Sequence, residues 1–247
     1  MLIVERLMDV KEAAELLNVS EMTIRRWTNS GALNCYRVGG KRARRFNIQD
    51  LQEFLHQRPA PFITQNEMVR LGIGSMAVPD GSHLSHLSLD DPDAQQVGIS
   101  FLRQGLAAKE TVMLVTSHAN LEKFVNLLEL GGIDVEKARA GNLLHICKGL
   151  DTPQAMFACI SQKIAMAENR FRLFGDMTWV KERGWGLETT RQLEEIGNSF
   201  PATPGLLLLC QYPLNRFSGQ ELMMAVETHR YTVYKGTLQE SPYFTLN

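Results

Sequence analysis

The chain has 247 residues, 44% of them hydrophobic, which suffices for one large or two ordinary domains with a real core. Its formal net charge is −1, so the whole protein is not basic, but charge is segregated: residues 1–58 hold ten Lys/Arg against seven Asp/Glu, and the remainder carries −4. Four cysteines (Cys35, Cys147, Cys159, Cys210) form no C-x-x-C pair, which excludes a disulfide framework and a zinc finger and points to a reducing cytoplasm, while no apolar run reaches membrane-spanning length.

Val10 to Leu17 has an apolar helical face of Val10, Ala13, Ala14, Leu16 and Leu17. Asn18 suits a left-handed cap, and Ser20 suits the N-cap of a second helix from about Glu21 to Asn29. Ile24 and Trp27 turn inward on that helix, leaving Thr23, Arg25 and Arg26 on the outer side. A helix presented this way fits the major groove, where arginine bonds guanine through two nitrogens. After Ser30-Gly31 come a short strand at Tyr36 to Val38, a Gly39-Gly40 turn and a return strand through Arg45 and Phe46. From Arg25 to Arg45 there is no acidic residue. Tyr36, Arg37, Lys41, Arg42, Arg44 and Arg45 are therefore candidates for phosphate or minor-groove contacts. Asn47 is expected to cap a third helix, Gln49 to Leu55.

This segment resembles the winged helix-turn-helix of the MerR and excisionase superfamily. The resemblance runs from Met8 to about Gln57 and rests on V-K-E-A-A-E-L-L-x-V-S-x-x-T-I-R-R-W, the G-x-L step, the Y-R-V-G-G-x-R wing and the closing D-L-x-x-F-L. Asn34 stands where the family usually has proline. The partner implied is double-stranded DNA.

Arg58-Pro59-Ala60-Pro61 breaks the third helix and favours an extended path. The expected division is a DNA-binding domain over 1–58, a linker over 59–80 with a short helix at Gln65 to Leu71, and an α/β domain over 81–247. Strands are expected at His83 to Leu87, Thr111 to Thr116, Leu143 to Ile146, Phe171 to Asp176, Gly205 to Tyr212 and, last, Tyr231 to Tyr234. Helices are expected over Pro92 to Ala108, Ala119 to Leu130, Val135 to Ala140, Asp151 to Asn169 and Glu188 to Ser199. Ser218-Gly-Gln-Glu221 reads as a capping box opening a helix to Thr228. Alternating elements with continuously apolar strands predict a mainly parallel sheet covered on both faces, binding ligands beyond its carboxyl ends. Asp176, Trp179, Cys210, Gln211 and Tyr212 follow or end such strands, and they are expected to converge on one crevice.

The order of elements resembles the MEDS sensory domain, which is related to the KaiC/RecA ATPase fold. The matching pieces are G-S-H-L-S-H (Gly81 to His86), F-L-R-Q-G-L (Phe101 to Leu106), G-G-I-D-V (Gly131 to Val135), F-G-D-M-T-W (Phe174 to Trp179), C-Q-Y (Cys210 to Tyr212) and His229 before the last strand. Arg230 follows His229 where the family tends to have proline. The resemblance implies sensing of a small organic compound, with His83 and His229 added to the pocket residues.

No G-x-x-x-x-G-K-[ST] loop is present, so a Walker A site is excluded, and no G-x-S-x-G elbow supports a nucleophilic triad. His83 and His86, three apart on a strand, point to opposite faces; His145, His229 and Cys210 complete a metal site only if folding gathers them. The expectation is no metal, no cofactor and no catalysis. The chain reads as a cytoplasmic, ligand-responsive transcriptional regulator, a homodimer through its C-terminal domain with no membrane partner. The rivals are an excisionase-like architectural protein with a protein-interaction domain, and a nucleotide-binding degraded RecA-like ATPase.

Overall fold

The computed structural model describes residues 7–17, 19–29, 33, 35–39, 43–48, 50–51, 68–200 and 205–244. The expectations at Asn18, Ser30-Gly31, Asn34, Gly40, Lys41 and Arg42, and the third helix beyond Leu51, lie outside these residues, as does the side chain of Arg26. The chain divides into two compact units, 1–62 and 63–247.

In the first unit, α1 (Val10–Leu17) opens on a capping box not read from the sequence. The Asp9 carboxylate accepts from the N–H groups of Lys11 and Glu12 at 2.9 Å, and Glu12 accepts from the Asp9 N–H at 2.9 Å. Ser20 caps α2 (Glu21–Asn29) as expected, accepting from the Thr23 N–H at 3.1 Å. β1 (Tyr36–Val38) and β2 (Ala43–Arg45) pair antiparallel. Met8 bridges to Phe46 at the foot of this hairpin. Val10, Ala13, Ala14, Ile24, Leu33, Phe46 and Leu51 form the core, with Trp27 packed against it.

The second unit begins with a hairpin, β3 (Met68–Arg70) and β4 (Ala77–Pro79). The sequence reading places these residues in a linker with a helix over Gln65 to Leu71. They are strand instead, because Val69, Leu71 and Val78 are apolar anchors buried in the unit's core. Arg172, 1% exposed, holds the hairpin by donating to the Arg70 carbonyl at 3.1 Å, while its Nε meets Glu110 at 2.5 Å.

The remaining strands form one seven-stranded sheet: β5 (His83–Ser88), β6 (Thr111–Val115), β7 (Leu144–Cys147), β8 (Phe171–Asp176), β9 (Leu206–Pro213), β10 (Tyr231–Tyr234) and β11 (Thr237–Glu240), in the order β11-β10-β5-β9-β8-β6-β7. All neighbours are parallel except β10 and β11. β11 was not anticipated. Its signal is the two-residue loop Lys235-Gly236, both at positive φ (49° and 68°), as a type I′ hairpin requires.

Helices α3 (Asp91–Ala107), α4 (His118–Leu130) and α5 (Val135–Ala140) cover one face. Helices α6 (Pro153–Ala165), α7 (Thr178–Glu182), α8 (Leu187–Gly197) and α9 (Gly219–Thr228) cover the other. The capping box at Ser218 and Glu221 is present. Helix α6 stops at Ala165, four residues before the expected Asn169, and Arg170 beyond it pairs with Asp80 at 3.1 Å and Glu110 at 3.3 Å. Among the described residues no helix is long and apolar enough to cross a membrane.

Candidate functional site

On the first unit, α2 presents Arg25 to solvent, half-exposed and 3.5 Å from Glu21 one turn earlier. Thr23 is less free than its position suggested, since its hydroxyl lies 2.9 Å from the Ser20 hydroxyl at the helix cap. In the hairpin, Tyr36 pairs with Arg45 and Arg37 with Arg44, so period-two alternation puts Arg37 and Arg44 side by side on one face.

In the second unit the expected pocket residues separate into two places. Along β9, Leu207, Leu209 and Gln211 point to the α3–α5 face, and Leu208, Cys210 and Tyr212 to the α6–α9 face. One crevice therefore cannot hold Cys210, Gln211 and Tyr212 together.

The first place is an open crevice of about 450 Å³ at the carboxyl ends of β6, β8 and β9. Asp176 and Gln211 line it with Asn120, Phe124, Lys123 and Arg216. Asp176 is 1% exposed and fully engaged: it accepts from Thr116 Oγ1 at 2.8 Å, from Asn120 Nδ2 at 2.9 Å and from the Thr178 hydroxyl at 2.9 Å. Gln211 Oε1 lies 3.0 Å from His86 Nδ1. Burial holds the His86 imidazole below its ordinary pKa, against the opposing pull of Gln211 and Asp93. Two of the helix N-termini beside the crevice, those of α3 and α4, are already filled by carboxylates. Asp90 caps α3, and Glu182 accepts from the first N–H groups of α4, His118 at 2.7 Å and Ala119 at 3.1 Å.

The second place is buried under α8 and α9. His83, Glu194, Cys210 and His229 meet there, all less than 9% exposed. Glu194 Oε2 lies 3.3 Å from His83 Nε2, 3.4 Å from His229 Nε2 and 3.5 Å from Cys210 Sγ. Tyr212 donates its hydroxyl to the other Glu194 oxygen. A nearly apolar cavity of about 40 Å³ adjoins the cluster. Trp179 lines that cavity, 1% exposed and edge-on to Trp185 at 4.8 Å, so it belongs to this second place and not to the crevice.

A family model for a helix-turn-helix domain matches residues 7–59. The model described as the methanogen/methylotroph, DcmR sensory domain (MEDS) matches residues 82–230. The chain belongs to the MEDS family. It is also similar over both units to the transcriptional repressor DcmR of Methylorubrum extorquens (strain DSM 6343 / CIP 106787 / DM4), at 30% identity covering 96% of this chain and 94% of that protein.

Within this MEDS domain, sequence reasoning missed Glu194, the residue around which the buried cluster turns. It sits inside an amphipathic helix beside Glu195 and looks like a solvated residue. Its only signal is position: with Thr190 one turn earlier, also buried, it falls on the helix face turned to the sheet. Burial opposes ionisation of Glu194, but His229 and His83 outweigh it and hold the carboxyl well below the usual range. Burial and Glu194 together push the Cys210 thiol and the Tyr212 phenol well above their ordinary values. Burial, joined by His83, lowers the His229 imidazole. Glu194, Cys210, Tyr212 and His229 are thus all shifted from their ordinary values within one buried cluster.

Proposed function

We propose that the protein is a ligand-responsive transcriptional regulator. A winged helix-turn-helix of the MerR and excisionase kind over residues 1–58 reads double-stranded DNA. The MEDS domain senses a small organic compound. The observation that carries the reading is the exposed Arg25 face of a capped second helix beside a basic hairpin, on the same chain as an α/β unit with an open crevice. The repressor role of the DcmR relative supports transcriptional control as the output.

The crevice is the effector site in this reading. Its volume falls in the range of small-molecule pockets, and it lies at the carboxyl ends of parallel strands. The parallel order β10-β5-β9-β8-β6-β7 supports a KaiC/RecA-like core without a Walker A loop. Nucleotide is disfavoured as the effector, because the N-termini that would cradle phosphate are occupied by Asp90 and Glu182. The domain is not catalytic: Asp176, its best-placed acid, is spent on its neighbours' hydroxyl and amide groups. The working form is a cytoplasmic homodimer joined through the MEDS domain, since one small head buries too little DNA for strong specificity. Ligand then shifts the spacing of the two heads against their half-sites.

Selection of duplexes from a random pool by the full chain tests this. The expected product is a pair of related half-sites at fixed spacing. Recovery of unrelated sequences would remove the regulator reading.

A further inference from the structure

We propose that His83, Glu194, Cys210 and His229 form a closed four-ligand site for a zinc-class divalent ion, which fastens α8 and α9 to the sheet. This goes beyond the regulator reading and does not depend on it, because the four residues lie apart from the crevice.

The four ligand atoms lie within 4.8 Å of one another. Four of their six separations are known: 3.3 Å (His83 Nε2 to Glu194 Oε2), 3.4 Å (His229 Nε2 to Glu194 Oε2), 3.4 Å (His83 Nε2 to Cys210 Sγ) and 3.5 Å (Cys210 Sγ to Glu194 Oε2). A zinc tetrahedron with the usual nitrogen, oxygen and sulfur bond lengths has edges of about 3.3–3.6 Å.

The groups around the four ligands are those a metal site needs. His229 Nδ1 lies 2.7 Å from the Ala225 carbonyl, which only accepts, so the proton sits on Nδ1 and the Nε2 lone pair faces the cluster. His229 Nε2 is buried and has no hydrogen-bond partner. Asn198 donates its Nδ2 to the Thr228 carbonyl at 2.8 Å, which turns its Oδ1 toward His83 Nδ1 at 3.1 Å. That fixes the His83 proton on Nδ1 and leaves its Nε2 lone pair inward as well. Tyr212 saturates Glu194 Oε1 and leaves Oε2 to the centre.

Without a cation, two imidazole lone pairs and a carboxylate oxygen converge, with one thiol proton to share among them. Lone pairs 3.3–3.4 Å apart repel in a dry interior. A divalent ion converts every one of these contacts into a bond. Binding forms the metal–sulfur bond and releases the Sγ proton to solvent, so thiolate and carboxylate balance the ion's two charges. Nitrogen and sulfur ligands at tetrahedral spacing select zinc-class ions over magnesium and calcium. With four protein ligands the site is closed, hence structural. The ligands come from β5, β9, α8 and the end of α9, so the ion ties two helices to two strands.

The test uses the tag-free full chain, stripped by a chelator and titrated with Co2+ alone, then Zn2+ alone. One Co2+ per chain is expected, with the intense visible bands of a tetrahedral centre and a near-ultraviolet thiolate band, both erased as Zn2+ displaces it. Cys210→Ser should lose the thiolate band and Cys147→Ser should keep it. Asn198→Ala should weaken Zn2+ about 10–100-fold, the usual effect of removing a group that orients a ligand. X-ray absorption on the wild-type zinc form needs no variant and should show one sulfur with three lighter atoms. A stripped chain that takes up no Co2+ at millimolar ion, a weak octahedral spectrum, or a zinc shell without sulfur would each overturn the site and leave a hydrogen-bonded network only.

Discussion

Arg25 illustrates how little a surface ion pair holds a side chain that has other work. Its partner Glu21 is half-exposed, as it is, and such pairs contribute about 0.3–0.5 kcal/mol, so little holds the guanidinium in place. Arg25→Ala is expected to cost about 1–3 kcal/mol on the selected site and clearly less on scrambled duplex, read by fluorescence anisotropy. Equal loss on both would make it a phosphate contact. His86 carries a pH prediction. Its folded pKa is held below the ordinary 6.5, so the neutral ring stabilises the fold above that value. As pH falls below about 6.5 the unfolded chain takes a proton that the folded chain refuses, and stability declines. Urea midpoints from pH 7.5 to 5.5 should fall, and His86→Gln should flatten part of that slope. Single residues were also where the sequence was least legible. His83, Cys210, Tyr212 and His229 were all named from the sequence, yet their grouping depends on which face of β9 each leaves and on Glu194, which no motif marks. Periodicity assigns a face only once the strand's phase against its neighbours is known.

At the scale of elements, the buried Arg172 and Glu110 pair holds the β3–β4 hairpin to the sheet. Glu110→Ala should destabilise the second unit by about 3–5 kcal/mol, because it strands a guanidinium that is 1% exposed. Arg172→Met combined with Glu110→Leu should cost much less. A similar loss for both variants would mean the hairpin's anchorage, and not the unpaired charge, sets the cost. Gly72, in the turn between these strands, has φ +81°, and a Cβ there would lie 2.5 Å from the Ser100 carbonyl oxygen. Gly72→Ala should therefore lower the thermal midpoint measurably, whereas an exposed alanine substitution would leave it unchanged. Most elements could be read from the chain, since the strands β6 and β9 are largely apolar runs and the helices α3, α4 and α9 carry clear caps. The exceptions share a cause. Helix α7 is about one turn long, β11 is mostly polar, and β3 and β4 have three residues each, too short for any period to register.

At the scale of the whole molecule, the account needs a reader of DNA and a sensor on one chain, acting on each other through a dimer. The most direct measurement is the affinity of the full chain for its selected duplex and for a scrambled one, taken with the crevice open and with it filled by Ala94→Trp on the lining face of α3. The account predicts a preference of roughly a thousandfold or more for the selected site. It also predicts that Ala94→Trp changes that affinity at least tenfold while leaving the scrambled duplex unaffected. A preference near one would contradict the DNA-reading claim, and an unchanged affinity in Ala94→Trp would contradict control by the crevice.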